Sequence, residues 1–477
     1  MTVYDAVIGL EVHAQLLTNS KIFCGCSTAF GMEPNTTTCP VCMGMPGVLP
    51  VLNKRVADFG IKLGLALNCT MARENIFARK NYFYPDLPKG YQITQYENPL
   101  CTNGYLDIEL DGSKKRVGIR RIHMEEDAGK NIHDEKKPLT YIDFNRACVP
   151  LLEIVSEPDM ASPDEAVAYL KELRQILVYL DICDGNMEEG SFRCDANVSV
   201  RKKGSEKLGT RTELKNMNSF RNVRNALDFE IKRHIRIIDS QQEIVQETLL
   251  WNPAIGETQS MRTKEESHDY RYFPDPDLVP VIVDDAWIEE MRKTLPELPS
   301  EKRKRFIQQY GIPTYDAEVL TQTKALADYF ERCVELFAAP KDVSNWIMTE
   351  VLRVLKEGHS DIRSLKVTPE MLIDLLKLLK GGTVSGLKAK DVFDEMASTG
   401  KVASTIIKER GFEQVSDEEE LKRIVRDIIK EYPKEADSYR SGKTQILGFF
   451  VGQVMKASKG KANPKLLSGI IKEMLEQ

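Results

Sequence analysis

A chain of 477 residues is long enough for two to four domains and a sizeable core. Hydrophobic residues at 42% and charged residues at 29% describe an ordinary globular protein, and no apolar run approaches the ~20 residues that span a bilayer. A net charge of −6 excludes a uniformly basic nucleic-acid binder, but the charge is unevenly spread. From Arg440 to Gln477 seven Lys/Arg stand against Glu473 and Glu476, so this tail carries +5 and the rest of the chain −11. A basic tail on an acidic body is a candidate polyanion contact; the plainer alternative is a Lys-rich solvated helix.

Asp5, Glu11 and His13 occupy the stretch where a secretory leader would be apolar. Cys69, Cys101, Cys148, Cys183, Cys194 and Cys333 are scattered singly, as in a reducing compartment. A cytoplasmic protein is expected.

The first strong element is IGLEVHAQL. On an extended chain Ile8, Leu10, Val12 and Ala14 share one face, while Glu11, His13 and Gln15 share the other. A carboxylate and an imidazole two residues apart then point the same way, which suits a shared cation or phosphate; a solvated strand face is the alternative. Cys24-x-Cys26 and Cys39-x-x-Cys42 follow, two close thiol pairs with the spacing of a tetrahedral zinc knuckle.

Asn81 to Tyr91 is a Pro-rich loop packed by its aromatics, Tyr82 among them. Asn103-Gly104 and Asp111-Gly112 bracket YLDIEL and predict tight turns at both ends of a strand. In VGIRRIHMEEDAGK, Arg121, His123 and Glu125 fall on one strand face, with Ile122 and Met124 toward the core. Glu125, Glu126 and Asp127 stack three acids at the strand end, which is costly unless a cation neutralises them. Glu153 is a lone acid in the apolar run VPLLEIV, so it sits on a wet face or is held for a purpose. Ser162 and Pro163 open a helix. In SFRCDANVSVR, Cys194, Ala196 and Val198 alternate with Arg193, Asp195, Asn197 and Ser199, giving one fully polar face. Glu213 and Lys215 share a face of TELK, and an amphipathic helix over 219–238 can cover the sheet. DYRYFPDPDLVP closes the region with a second aromatic loop.

Residues 1 to about 295 thus read as α+β. Past Leu295-Pro296-Glu297-Leu298-Pro299 strand signals stop and capped helices take over, with Ser385 before GLKAKDVFDEM, Ser416 and Glu419 as a capping box, and Asn463-Pro464 opening the last helix. Two motifs fail. Ser441-Gly-Lys-Thr444 lacks the glycine a phosphate loop needs at 437, where Asp437 stands. Lys456-Ala-Ser-Lys459 has no upstream partner motif of a class I synthetase.

Taken together, IGLEVHAQL, RKNYFYPDLPKGYQITQ, RIHMEEDAGK, DFNRACVPLLEIVSEPD, MEEGSFRCDANVSVR, ELKNMNSF and DYRYFPDPDLVP resemble the GatB family, which belongs to the aspartyl/glutamyl-tRNA amidotransferases. The tail GFFVGQVMKASKGKANPKL is similar to the YqeY-like domain that ends that family. The resemblance runs nearly end to end. It implies a cradle domain over 1–295 with an antiparallel sheet, a helical domain over 296–407, and a small helical tail domain over 408–477 that contacts tRNA. It implies a heterotrimer with GatA, an amidase that releases ammonia from glutamine, and with GatC. No amidase signature occurs in this chain, which fits that division of labour.

The implied reaction is ATP-dependent amidation of Glu-tRNA(Gln) or Asp-tRNA(Asn) through an acyl phosphate, in a carbon–nitrogen ligase. Phosphoryl transfer needs Mg²⁺ and positioned donors more than covalent help. Glu11, His13, Glu125 and Glu153 are the expected Mg²⁺ ligands, with Glu126 beside them in the catalytic set and Glu126, Asp127 and His123 as outer support or a second cation site. Lys80, Arg193 and Lys215 are expected at phosphate oxygens, and Tyr82, Asp195, Asn197 and Glu213 complete the substrate and ATP set. Loops 81–95 and 269–278 would wall the reaction from water. Cys24, Cys26, Cys39 and Cys42 would hold a structural zinc. The family usually has glycine where this chain has Cys148, for which a local backbone adjustment is expected. The rival to this reading is a tRNA-binding scaffold whose acids only stabilise the cradle.

Overall fold

The computed structural model describes residues 3–134, 136–261, 270–358, 360–413, 418–458, 462 and 464–476. It comprises two compact units, Met1–Pro299 and Ser300–Gln477.

The first unit is built on a nine-stranded sheet with Tyr4–Gln15 at its centre. On one side lie Phe192–Lys202, Thr212–Lys215, Thr248–Asn252 and Glu257–Ser260; on the other, Pro150–Ser156, Ser113–Glu126, Cys101–Leu110 and Thr70–Met71. Pairing is antiparallel throughout except between Thr212–Lys215 and Thr248–Asn252, which run parallel because the helix Phe220–Asp239 intervenes as a crossover. The expected alternation is observed: Ile8, Leu10, Val12 and Ala14 are fully buried, and with Leu152, Ile154, Ile122, Met124, Ala196 and Val198 they form the core face. Helices Lys54–Ala66, Pro163–Tyr179 and Phe220–Asp239 pack against that face. Ser162 and Ser219 cap the latter two by accepting from Glu165 N and Asn222 N, each three residues on.

A small sheet of Phe77–Asn81, Tyr91–Gln95 and Phe273–Pro274 lies against the Ser113–Glu126 strand, so part of the expected aromatic loop is strand and only 82–90 is a connection. Asp111-Gly112 makes the expected hairpin turn, both residues having positive φ. Asn103-Gly104 does not turn. The pair lies inside Cys101–Leu110, where Asn103 takes φ 54° and a Cβ on Gly104 would meet Leu67 O at 2.7 Å. A close backbone approach, not a reversal, accounts for that glycine.

All named elements of the second unit are helices. Ser385 caps Gly386–Thr399 as expected. A π-helical turn at Ile347–Val351, unsignalled in the sequence, interrupts one of them. Glu418–Glu431, Pro433–Arg440, Leu447–Ala457 and Pro464–Glu476 share a core of their own around Leu421, Val425, Phe450, Val454 and Ile471. Ser416, Lys459, Asn463 and Asp269, which belong to the motifs above, lie outside the described residues.

Candidate active site

The polar face of the large sheet assembles the site by strand register alone. Arg193 lies opposite His13, His13 opposite Glu153, and Glu153 opposite His123, so four side chains from four strands form one row. The next row holds Asp195 opposite Glu11, with Lys215 reaching the Asp195 carboxylate from the neighbouring strand. Glu125 stands one position beyond His123 on the same face.

These rows converge. His13 Nε2 is 3.2 Å from Glu153 Oε2 and 3.9 Å from Glu125 Oε1, and His123 Nε2 is 3.5 and 3.6 Å from the same two carboxylates. His13, Glu125 and Glu153 each offer a ligand atom within 4.8 Å of the others. Thr94 donates to Glu125 Oε2 at 2.9 Å and fixes its rotamer. The group lines a cavity of about 310 Å³ shared with Glu11, Lys80, Arg121, Asp195, Glu213, Lys215 and the rings of Tyr96, Tyr270 and Tyr272. Tyr96 and Tyr272 stack face to face at 4.1 Å, and Lys80 Nζ lies 4.9 Å from the Tyr270 ring.

Five carboxylates line this cavity against Lys80, Arg121 and Lys215. The titration of the group follows from that excess. Burial, with Glu153, Glu213 and Asp195 beside it, pushes the Glu11 carboxyl above its ordinary range. Burial opposes protonation of both imidazoles, but Glu153 and Glu125 outweigh it: His13 is raised, and His123 is raised to about 9. Burial likewise works against the Lys80 ammonium, and Glu125 overcomes it. A site that draws protons to this degree is one that a divalent cation satisfies instead. Two carboxylates fit Mg²⁺, which favours hard oxygen donors; the imidazole is a softer nitrogen donor, more at home with first-row transition ions.

Nine of the expected site residues line the cavity: Glu11, His13, Lys80, His123, Glu125, Glu153, Asp195, Glu213 and Lys215. Glu11 stands one row away from the three-ligand group and accepts from Asn197 Nδ2 at 3.1 Å. Glu126 and Asp127 do not line it. Strand alternation turns Glu126 away, where it accepts from Ile93 N at 2.7 Å and from Lys89 and Cys148. Asp127 binds Gln15 and Arg193 at 2.8 and 2.9 Å. The three adjacent acids therefore do not share a cation; each has its own partners. Arg193 and Tyr82 back the cavity without lining it. Thr94, Gln95, Tyr96, Arg121, Tyr270 and Tyr272 complete the lining beyond the expected set.

A family model described as "GatB/GatE catalytic domain" matches residues 6–289, which include every residue of the cavity. The chain belongs to the GatB family. A second model, described as "GatB domain", matches 328–475. Similar curated proteins, each named as the GatB-type component of an aspartyl/glutamyl-tRNA(Asn/Gln) amidotransferase, occur in Geotalea uraniireducens, Thermodesulfovibrio yellowstonii and Geobacter sulfurreducens, at 59%, 58% and 58% identity. Each alignment covers 99% of this chain and 99–100% of the relative. No helix among the described residues is long and apolar enough to cross a membrane.

This GatB chain carries a second metal-competent group. The sulfurs of Cys24, Cys26, Cys39 and Cys42 lie within 4.8 Å of one another, and Cys39 Sγ and Cys42 Sγ are 3.9 Å apart. Thiolates ~2.3 Å from a tetrahedral zinc stand about 3.8 Å from each other, so the donors fit that ion. A hydrogen bond from the Cys24 thiol, the Cys39 N–H and the Lys21 ammonium push Cys42 down to about 5, a thiolate at neutral pH. Cys148 departs from expectation. It keeps the left-handed backbone that glycine favours, φ 66°, and lodges its thiol 2.8 Å from Glu126 Oε2.

Proposed function

We infer that this chain is the ligase subunit of a tRNA-dependent amidotransferase in which Glu-tRNA(Gln), Asp-tRNA(Asn) or both are amidated to Gln-tRNA(Gln) and Asn-tRNA(Asn). The observation that carries the site assignment is the convergence of His13, Glu125 and Glu153 from three strands on one point of a cavity with lysines at its rim. The γ-phosphoryl of ATP passes to a side-chain carboxylate oxygen of the charged amino acid, releasing ADP and leaving an acyl phosphate. Ammonia then attacks the acyl carbon, expels phosphate and loses a proton to give the amide.

Mg²⁺ held by Glu125, Glu153 and His13 supplies charge neutralisation at the phosphate oxygens. Glu11, with Asp195 and Glu213 beside it, extends the cation-binding surface. Lys80, Arg121 and Lys215 stabilise charge that develops on the transferring group. Tyr96, Tyr270 and Tyr272 close the cavity and keep water from the acyl phosphate. Arg193 positions Asp127 and lies opposite His13, so it orients the row. The four cysteines hold a structural zinc that braces the loop after the central strand.

The reading includes an amidase, GatA, that supplies ammonia from glutamine, together with GatC, in a cytoplasmic heterotrimer. It includes tRNA contact through the basic C-terminal segment. It retains a cradle domain, a helical domain and a tail domain, with the last boundary placed after Ala403–Arg410, because residue 407 lies inside that helix.

The test is ADP release by the assembled complex with Mg²⁺ and ammonium salt, with and without Glu-tRNA(Gln). Charged-tRNA-dependent release that Glu125→Ala abolishes is the expected result. Release unaffected by the substitution moves the active site elsewhere. No release from an intact complex that binds tRNA favours the scaffold.

A further inference from the structure

A second cavity, about 430 Å³, opens on the same polar face, on the far side of Glu11 from the metal-competent group, and Glu11 lines both. Its floor is four positions of two paired strands, Gly9 opposite Asn197 and Val7 opposite Ser199. Three of the four are small or lack a side chain, so the floor is a flat patch of sheet. Pro158, Val155 and Leu208 form apolar walls, and Arg120 and Arg211 stand at the rim.

Gly9 is the informative residue. Glycine inside a strand costs roughly 0.5–1 kcal/mol relative to alanine and marks a bulge, a bend or a close approach. Gly9 has no positive φ, its strand is in regular register on that side, and a Cβ there would meet Pro158 at 3.6 Å, an ordinary contact. The fold therefore accepts a larger residue. What a side chain at 9 would do is occupy the cavity.

The chemistry of the two cavities differs. The first is charged and fits phosphates and cations. The second joins apolar walls to hydrogen-bonding groups, the Asn197 amide and Ser199 hydroxyl among them, with guanidinium groups able to lie on a π face. Its size falls in the range of small-ligand sites. From His13 to Gly9 is four strand steps, ~13 Å, a distance that a nucleotide's phosphate chain and ribose can bridge.

We propose that the cavity above Gly9 binds an adenine nucleoside whose attached chain runs past Glu11 to the His13–Glu125–Glu153 group. The proposal rests on the ligase reading above. Two sources carry this chemistry, ATP and the 3′-terminal adenosine of the charged tRNA, and one set of measurements separates them.

Dissociation constants of ATP, inorganic tripolyphosphate and Glu-tRNA(Gln) are measured on the assembled complex for the wild type, Gly9→Val and Leu208→Ala. Leu208 is 52% exposed, so its truncation does not threaten the fold. A rise of about tenfold for ATP, with tripolyphosphate unchanged, places the nucleoside of ATP there; the same rise confined to Glu-tRNA(Gln) places the tRNA end there. If Gly9→Val lowers the melting temperature, Leu208→Ala decides. Unchanged constants for both ligands in Leu208→Ala overturn the proposal. A wild-type complex that shows no charged-tRNA-dependent ADP release would instead overturn the ligase reading.

Discussion

The large sheet buries ionisable groups on both faces, and the two sets are handled in opposite ways. On the helix-covered face Glu230 is saturated. It accepts from Thr212 Oγ1 at 2.8 Å and from the Arg233 guanidinium at 2.6 to 3.1 Å, and lies 3.0 Å from His234 Nε2. Burial alone would raise its carboxyl, but His234, Arg233 and Thr212 hold it down at about 2. On the opposite face five carboxylates gather round three cationic side chains, and Glu11 shifts the other way. A cluster whose charges are matched within the chain is structural; one left with surplus carboxylates around an open cavity is built for something the chain does not contain.

Substitutions on each face sharpen that contrast. Glu153→Ala removes a ligand from the open cluster, and charged-tRNA-dependent ADP release should fall on the order of 10³-fold while the melting temperature changes little. A fall in stability with activity per folded molecule intact would reverse the assignment. On the matched face Glu230→Ala leaves His234 and Arg233 without their carboxylate, for a loss of about 3 kcal/mol in denaturant unfolding and no loss of chemistry.

The same carboxylate gives a signed pH dependence. Because its folded value lies below the unfolded one, its contribution is fully present above about pH 4.5 and is lost as pH falls toward 2. Glu230→Gln should flatten the stability profile in that window. A profile identical to wild type would break the account of this face.

Two smaller effects concern the loops beside the open cluster. Cys42→Ala should remove one equivalent of zinc from the purified protein and lower its melting temperature by several degrees, while leaving the other thiols free. Cys148→Gly relieves a left-handed residue worth ~1–2 kcal/mol, but forfeits the thiol contact with Glu126, so a net gain of up to about 1 kcal/mol is expected from thermal unfolding.

Much of this was legible in the chain. The period-two pattern of residues 8–15 and 193–199 names the wet face residue by residue, because a strand has only two faces and a mixed pattern cannot be buried on both. Four strands with polar faces suffice to name most of the nine expected residues that line the cavity. Less legible was the fate of Glu125, Glu126 and Asp127. Adjacency suggested one acidic cluster, whereas the pleat sends Glu125 to the cavity and Glu126 to Lys89. The walls from Tyr270 and Tyr272 were visible only as an aromatic loop, since their place over Lys80 depends on the pairing of Phe273 with Arg79, nearly two hundred residues away. Asn103-Gly104 looked like a turn because the sequence does not reveal that Leu67 packs against that backbone.

The central claim is that the open cluster holds a divalent cation between His13, Glu125 and Glu153. Anomalous scattering from crystals soaked in Mn²⁺, used as a Mg²⁺ surrogate, tests it most directly. The account predicts a peak bonded to His13 Nε2 and to one oxygen each of Glu125 and Glu153, absent in Glu153→Ala. A peak elsewhere on the sheet, or none at the three residues in crystals of the intact complex, would contradict it.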